Sequence, residues 1–211
     1  MTSPADIKAF NQLVDDYDNW FEQHEGYYIS ELNALKKFIP DKGAGIEIGV
    51  GTGRFASQLG ITIGIEPSHS MAQMALARGM QVVKAKAEEL PFFDLTFDFA
   101  LMVTTVCFLD DIPKAFAEVC RVLKRNGVFI IGLIDKNSRL GKEYEAMKAT
   151  SPWYKEAHFH NTEEVTGLLQ QAGFSHFEYC QTLIGAEEKE GVSVPGYGEG
   201  SFVVIRAEKI V

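Results

Sequence analysis

Residues 45–60, GIEIGVGTGRFASQLG, place a carboxylate, Glu47, and three alternating glycines, Gly49, Gly51 and Gly53, where a β-branched run gives way to a helix. Glycine lacks Cβ, so such a loop can turn with positive φ and lie directly against a ligand. The helix expected from about Arg54 turns unpaired N–H groups and the positive end of its dipole toward that ligand. This is a loop for a nucleotide-type ligand. A dinucleotide loop reads GxGxxG and seats a pyrophosphate on the helix N-terminus. Here the order is ExGxGxG, and the acid repels a pyrophosphate while attracting a cation such as an ammonium or a sulfonium.

A second apolar run, ITIGIEP, ends in Glu66, 17 residues beyond Gly49. A carboxylate at that spacing, on a neighbouring strand end, can accept both hydroxyl protons of a ribose diol. Further on, residues 84–134 carry a polar turn before Leu90-Pro91-Phe92, a strand introduced by Phe97-Asp98, a helix ending in Arg121-Val122-Leu123-Lys124, and a strand after Gly127.

Together these motifs resemble the class I S-adenosylmethionine (SAM)-dependent methyltransferases. The similarity covers about residues 43–134 and is closest to the small-molecule enzymes that include the ubiquinone/menaquinone-type methyltransferases. It implies SAM as cofactor. By that resemblance Glu47 lies near the methionine amine and, with the glycine loop, holds the aminocarboxypropyl group. Glu66 takes the ribose and Met71 packs on the adenine face. Ala87 and Glu88 border the adenine, the Ala87 N–H reading a ring nitrogen. Thr104 and Thr105, after the fourth strand, border the methionine part and the substrate. Lys86 departs from the pattern, because many relatives carry an acid there and a lysine has donors only. That leaves Glu88 or solvent to meet the adenine amino group. Relatives often carry histidines after the fourth strand, whereas this chain has Cys107-Phe108-Leu109, so no base carries over. The competing readings are a nicotinamide-dependent oxidoreductase, which would prefer NADH, and a SAM-binding module without turnover.

Substrate-wall candidates are Tyr17 and Trp20 near the N-terminus, and Trp153, Tyr154, His158 and His160 after the fifth strand. Aromatic faces stabilise a sulfonium or ammonium by about 0.5–2 kcal/mol. His158 and His160 have the spacing of one face of a strand and either could act as a base. No third ligand accompanies them, so no metal is expected.

With 20 basic and 29 acidic side chains the formal charge is -9, and no basic cluster interleaves with aromatics. Nucleic-acid affinity rests on neutralising phosphates, so the expected partner is a small molecule and not a nucleic acid. The negative field favours a cationic amine over an anion. Three scattered cysteines build neither a disulfide framework nor a zinc site. No apolar run reaches the ~18 residues of a membrane span, and the polar N-terminus lacks a signal-peptide core; a cytoplasmic protein without membrane contact is expected.

The elements that must position these residues follow from periodicity. One amphipathic helix is expected over 5–24, from Phe10, Leu13, Val14, Tyr17, Trp20 and Phe21, and a second over 27–39. Strands at 44–49, 61–65, 80–84, 97–103 and 127–134 alternate with helices at 53–59, 69–78 and 113–124. Asn161 and Glu164 form a capping pair opening a helix that ends at Gly173. Strands at 175–183 and 201–208 flank a glycine- and charge-rich stretch, 183–200, read as a mobile hairpin loop. The expected architecture is a Rossmann-like doubly wound α/β fold, with a mostly parallel seven-stranded sheet, one antiparallel strand and an N-terminal helical cap. The chain is expected to be a single domain, 1–211, with a cap over 1–42, a SAM-binding core over 43–134 and a substrate-side segment with closing strands over 135–211.

Overall fold

A computed structural model describes residues 4–185 and 189–210. The apolar runs form β1 (Gly45–Ile48), β2 (Ile63–Ile65), β3 (Gln81–Val83), β4 (Phe97–Val103), β5 (Leu123–Ile134), β6 (Phe174–Ile184), β7 (Lys189–Pro195) and β8 (Gly200–Lys209). Between and before them lie α1 (Pro4–Gln12), α2 (Val14–Gln23), α3 (Glu25–Lys36), α4 (Arg54–Gln58), α5 (His69–Ala77), α6 (Ile112–Val122), α7 (Arg139–Met147) and α8 (Thr162–Gln171). The sheet order is β3-β2-β1-β4-β5-β8-β6-β7. Pairing is parallel from β3 through β5 and antiparallel at β5–β8, β8–β6 and β6–β7.

A parallel strand covered on both faces reads as a continuous apolar run. In β4 every residue but Asp98 is buried, and it pairs β1 on one side and β5 on the other. One core lies under α6 and α8, built from Phe116, Val119, Val165, Leu169 and Phe129; the other lies under α2 to α5, built from Phe21, Leu35, Phe55, Phe99 and Phe202. The Asp111 side chain accepts from Lys114 N at 3.0 Å to start α6, with Pro113 in the first turn. The expected Asn161/Glu164 capping box opens α8, each side chain accepting from the other residue's backbone N–H.

Three expectations change. The sheet has eight strands, because residues 189–195 of the expected hairpin loop pair with β6. Backbone bonds and α3 hold this edge strand: Gly191 N donates to Ser30 Oγ at 2.6 Å, and Lys37 Nζ to Ser193 O at 2.9 Å. Residues 186–188 of the same stretch lie outside the described residues. The single N-terminal helix is two, broken at Leu13, where φ -117 and ψ 29 leave the helical well. The break lets each helix make its own attachment. Asn11 Oδ1 accepts from Ser68 Oγ and Ser70 N at the start of α5, while Asp18 reaches Arg54 and Arg78. Finally, α7 occupies part of the segment after β5. Among the described residues no helix is long and apolar enough to cross a membrane.

Candidate active site

A cavity of about 400 Å3 opens beyond the carboxyl ends of β1, β2 and β4, where strand order reverses between β1 and β4. The three glycines of the loop do three different things. At Gly49, φ +73, a Cβ would lie 2.6 Å from the Thr105 side chain. At Gly51, φ +55, it would project into the cavity, the nearest atom being Tyr17 Oη at 3.9 Å. At Gly53, φ +83, it would strike Met80 Sδ at 2.8 Å and crowd Ala75. Gly49 and Gly51 line the cavity, whereas Gly53 lets α4 seat against α5 and the turn before β3.

The two strand-end acids also diverge. Glu47 is buried outside the cavity wall, and its Oε2 accepts from Ala56 N at 2.9 Å in the first turn of α4. Burial raises its pKa well above the carboxylate range, the Ala56 N–H offsetting part of this. That hydrogen bond ties β1 to α4. Glu66 lines the cavity; one oxygen accepts from Gly51 N at 3.0 Å, the other from Ser68 N at 2.8 Å. Burial pushes it up to about 7 against the pull of those two N–H groups. Each oxygen keeps a free lone pair for a further donor.

Met71, 2% exposed, and Ala87 share an apolar slot with Ile65. Glu88 also lines the cavity, with its Oε1 accepting from Asp110 N at 3.0 Å and Asp111 N at 3.4 Å ahead of α6. Lys86 Nζ stands 3.5 Å from Asp110 Oδ2. Thr104 lines the cavity with φ +48, a left-handed conformation that costs a threonine about 1–3 kcal/mol. The Thr105 hydroxyl is engaged within the protein, donating to Val103 O at 3.0 Å.

An aromatic wall assembled from three distant parts of the chain also lines the cavity. Phe10 of α1 packs edge-on against Tyr17 and against Phe108, at centroid distances of 5.9 and 5.2 Å. Phe108 stacks on Tyr154 at 6.3 Å, and Tyr154 on Tyr144 at 4.9 Å. Trp20 and Trp153 also line the cavity, and the Trp153 Nε1 is buried without a partner among the described residues. Tyr17 is held neutral, since burial and the neighbouring Glu66, Glu47 and Glu31 all raise its pKa. The two histidines do not share a strand face. His158 is exposed, its backbone N–H donating to Cys107 O at 2.7 Å, and stands outside the cavity wall. His160 lines the cavity, with Nδ1 3.4 Å from Glu164 Oε2; burial lowers its pKa, Glu164 opposing.

A clasp holds α2 over the site. Asp18 Oδ2 accepts from Arg54 Nη2 at 2.6 Å and Arg78 Nη2 at 2.7 Å, and Arg78 Nη1 donates to Thr52 O at 2.6 Å. Burial opposes ionisation of Asp18, but the two guanidinium groups outweigh it and hold its pKa down at about 2. Neither this clasp nor Glu31 was apparent from spacing. Glu31 of α3 lines the cavity at 5% exposure, one turn from Tyr28 and Leu35 on the buried face of the helix. An acid on an apolar stripe was the available signal.

The open face of Gly51, the half-used Glu66 carboxylate, the apolar slot at Met71 and the aromatic wall fit an adenosyl sulfonium. The chain matches the Methyltransferase domain family over residues 46–131. It belongs to the SAM-dependent methyltransferases, and SAM is its cofactor. Protein MJ1123 of Methanocaldococcus jannaschii is 47% identical over 206 residues, 97% of this chain and all of that one. A Thermotoga maritima crystal structure, described as a SAM-dependent methyltransferase and possible histamine N-methyltransferase, superposes with a TM-score of 0.91 at 48% identity, over 96% of this chain and 98% of that one. The ubiquinone/menaquinone biosynthesis C-methyltransferase of Rickettsia peacockii is 44% identical over 55 residues, 26% of this chain and 22% of that one.

Proposed function

We propose that this methyltransferase acts on a small molecule, that the acceptor atom is an amine nitrogen, and that residues 1–211 work as one catalytic unit. The observation that carries this reading is the aromatic wall that lines, together with Gly51 and Glu66, a cavity of about 400 Å3, within the range of small-molecule sites. The charge of -9 and the histamine named for the T. maritima relative support the same class. SAM supplies an electrophilic methyl group on a sulfonium. The protein's share is to hold, orient and keep water out. Glu66 accepts from the ribose hydroxyls, Met71, Ala87 and Glu88 enclose the adenine, and Gly49, Gly51 and Thr104 border the aminocarboxypropyl group. Glu47 and Gly53 serve as positioning residues through α4. Tyr17, Thr105 and His160 face the acceptor, with α1 and α2 closing over it.

The test is incubation of purified protein with SAM and histamine, 2-phenylethylamine, a quinone or a phenol, followed by mass spectrometry. A methylated amine with matching S-adenosylhomocysteine (SAH) is expected. Transfer confined to the quinone or phenol overturns the amine assignment, and a larger thermal shift with NADH than with SAH overturns the cofactor site.

A further inference from the structure

Of the four carboxylates in or beside the cavity, three are already employed. Glu47 holds Ala56 N, Glu66 holds Gly51 N and Ser68 N, and Glu88 holds Asp110 N and Asp111 N. Glu31 accepts no hydrogen bond and meets no cation among the described residues, yet it is 5% exposed and lines the cavity. Its helix gives it no route out. Ser30 beside it is fixed by Gly26 O and Gly191 N, and Leu35 one turn on is fully buried, close to Gly132 of β5. A buried carboxyl without a partner is a liability to the fold, and such groups mark functional sites when they face a cleft.

Its surroundings identify what it faces. Glu31 acts electrostatically on Tyr17 of α2 and on Tyr154 of the segment after α7, both phenols kept neutral by burial. Glu66 and Glu47 weigh on Tyr17. Glu31, Tyr17 and Tyr154 line the same cavity, as do Lys86 and His160. A carboxylate among aromatic faces selects a cation that can also donate hydrogen bonds, which an ammonium does and a sulfonium does not.

We propose that Glu31 receives the nitrogen of the methyl acceptor, a primary or secondary amine with an apolar or aromatic body, as an ammonium–carboxylate pair in the cavity that Tyr17 and Tyr154 also line. This rests on the N-methyl reading above and adds the residue and the substrate class. Within the pair one proton moves from nitrogen to the Glu31 carboxylate, leaving R–NH2 with its lone pair and a neutral Glu31 acid. In the empty cavity burial raises Glu31 to about 8, so at pH 7 it is mostly protonated. An ammonium entering from solution therefore forms the pair with release of one proton to solvent.

The test uses wild type and Glu31→Gln in the presence of SAH, titrated calorimetrically with 2-phenylethylamine and with 2-phenylethanol in buffers of different ionisation enthalpy. Wild type is expected to bind the amine with close to one proton released at pH 7, falling toward zero by about pH 9, where Glu31 is already ionised and the amine still carries its proton. Glu31→Gln is expected to weaken the amine at least about tenfold and abolish the proton release, while changing the alcohol and SAH less than about twofold. Glu31→Leu, which keeps the volume, is expected to match Glu31→Gln in amine loss. An SAH affinity that falls as far as the amine's assigns Glu31 to the cofactor and overturns the proposal, as does unchanged amine affinity in both variants. Failure of wild type to bind or methylate any amine removes the N-methyl reading itself.

Discussion

The same carboxyl makes a sharp stability prediction in the absence of any ligand. Burial moves Glu31 from an ordinary 4.5 to about 8, and at 5% exposure solvent screening gives little relief. A raised acid favours the protonated native state, so its contribution is intact below pH 4.5, declines as pH rises and is lost on passing about 8. The interval between those two values corresponds to about 5 kcal/mol of destabilisation at high pH. Glutamine has nearly the same shape and cannot ionise. Glu31→Gln should therefore unfold within about 2 °C of wild type at pH 5, and about 10 °C or more above it at pH 9, given about 2–4 °C per kcal/mol at this chain length. Thermal unfolding followed by circular dichroism at both pH values measures it. Glu47 and Glu66, also raised, are common to the two proteins and drop out of the difference. A gap that is the same at pH 5 and pH 9, or larger at pH 5, refutes the reasoning.

Asp18→Asn leaves Arg54 and Arg78 without their shared anion and should cost about 3 kcal/mol in urea unfolding at pH 7. Because Asp18 is held at about 2 in the fold, wild type keeps that contribution above pH 3.8 and loses it as pH falls through 2, whereas Asp18→Asn shows no such step. Gly51→Ala and Gly53→Ala should separate binding from stability. The first fills cavity space and should weaken SAH at least about tenfold with modest loss of stability; the second meets Met80 Sδ at 2.8 Å and should lower the melting temperature by about 5 °C or more. Glu66→Ala should weaken SAH at least about tenfold by calorimetry, and unchanged affinity removes Glu66 from the ribose subsite.

What was legible in the sequence was local. The ExGxGxG run, the spacing to Glu66 and the Asn161/Glu164 box each state their geometry within a few residues, and the strand and helix alternation through 134 follows from periodicity. Pairing across distance was not legible. β7 carries Gly191 and Pro195 and reads as a turn, and it becomes a strand because β6 and α3 lie beside it. The break at Leu13 has no glycine or proline to announce it, and its reason is tertiary: Asn11 and Asp18 engage different helices. The glycine loop suggested one shared role, yet Gly53 answers to Met80, a residue 27 positions away. Glu31 escaped because an acid amid Tyr28, Ala34 and Leu35 looks like an imperfection in an amphipathic pattern until the cavity beside it is seen.

The eighth strand is mechanically coupled to α3. Ser30 on α3 and Lys37 just past its end, which grip β7, lie on either side of Glu31 in the sequence, whereas Glu47, Glu66 and the glycine turn belong to the opposite half of the sheet. Lengthening, shortening or tilting the β6–β7 ribbon therefore bears on the helix carrying Glu31 and, through Tyr28 Oη, which donates to Arg54 O at 2.8 Å, on the start of α4. The outer ribbon is thus a mechanical handle at one margin of the molecule on the helix that lines the cavity with Glu31.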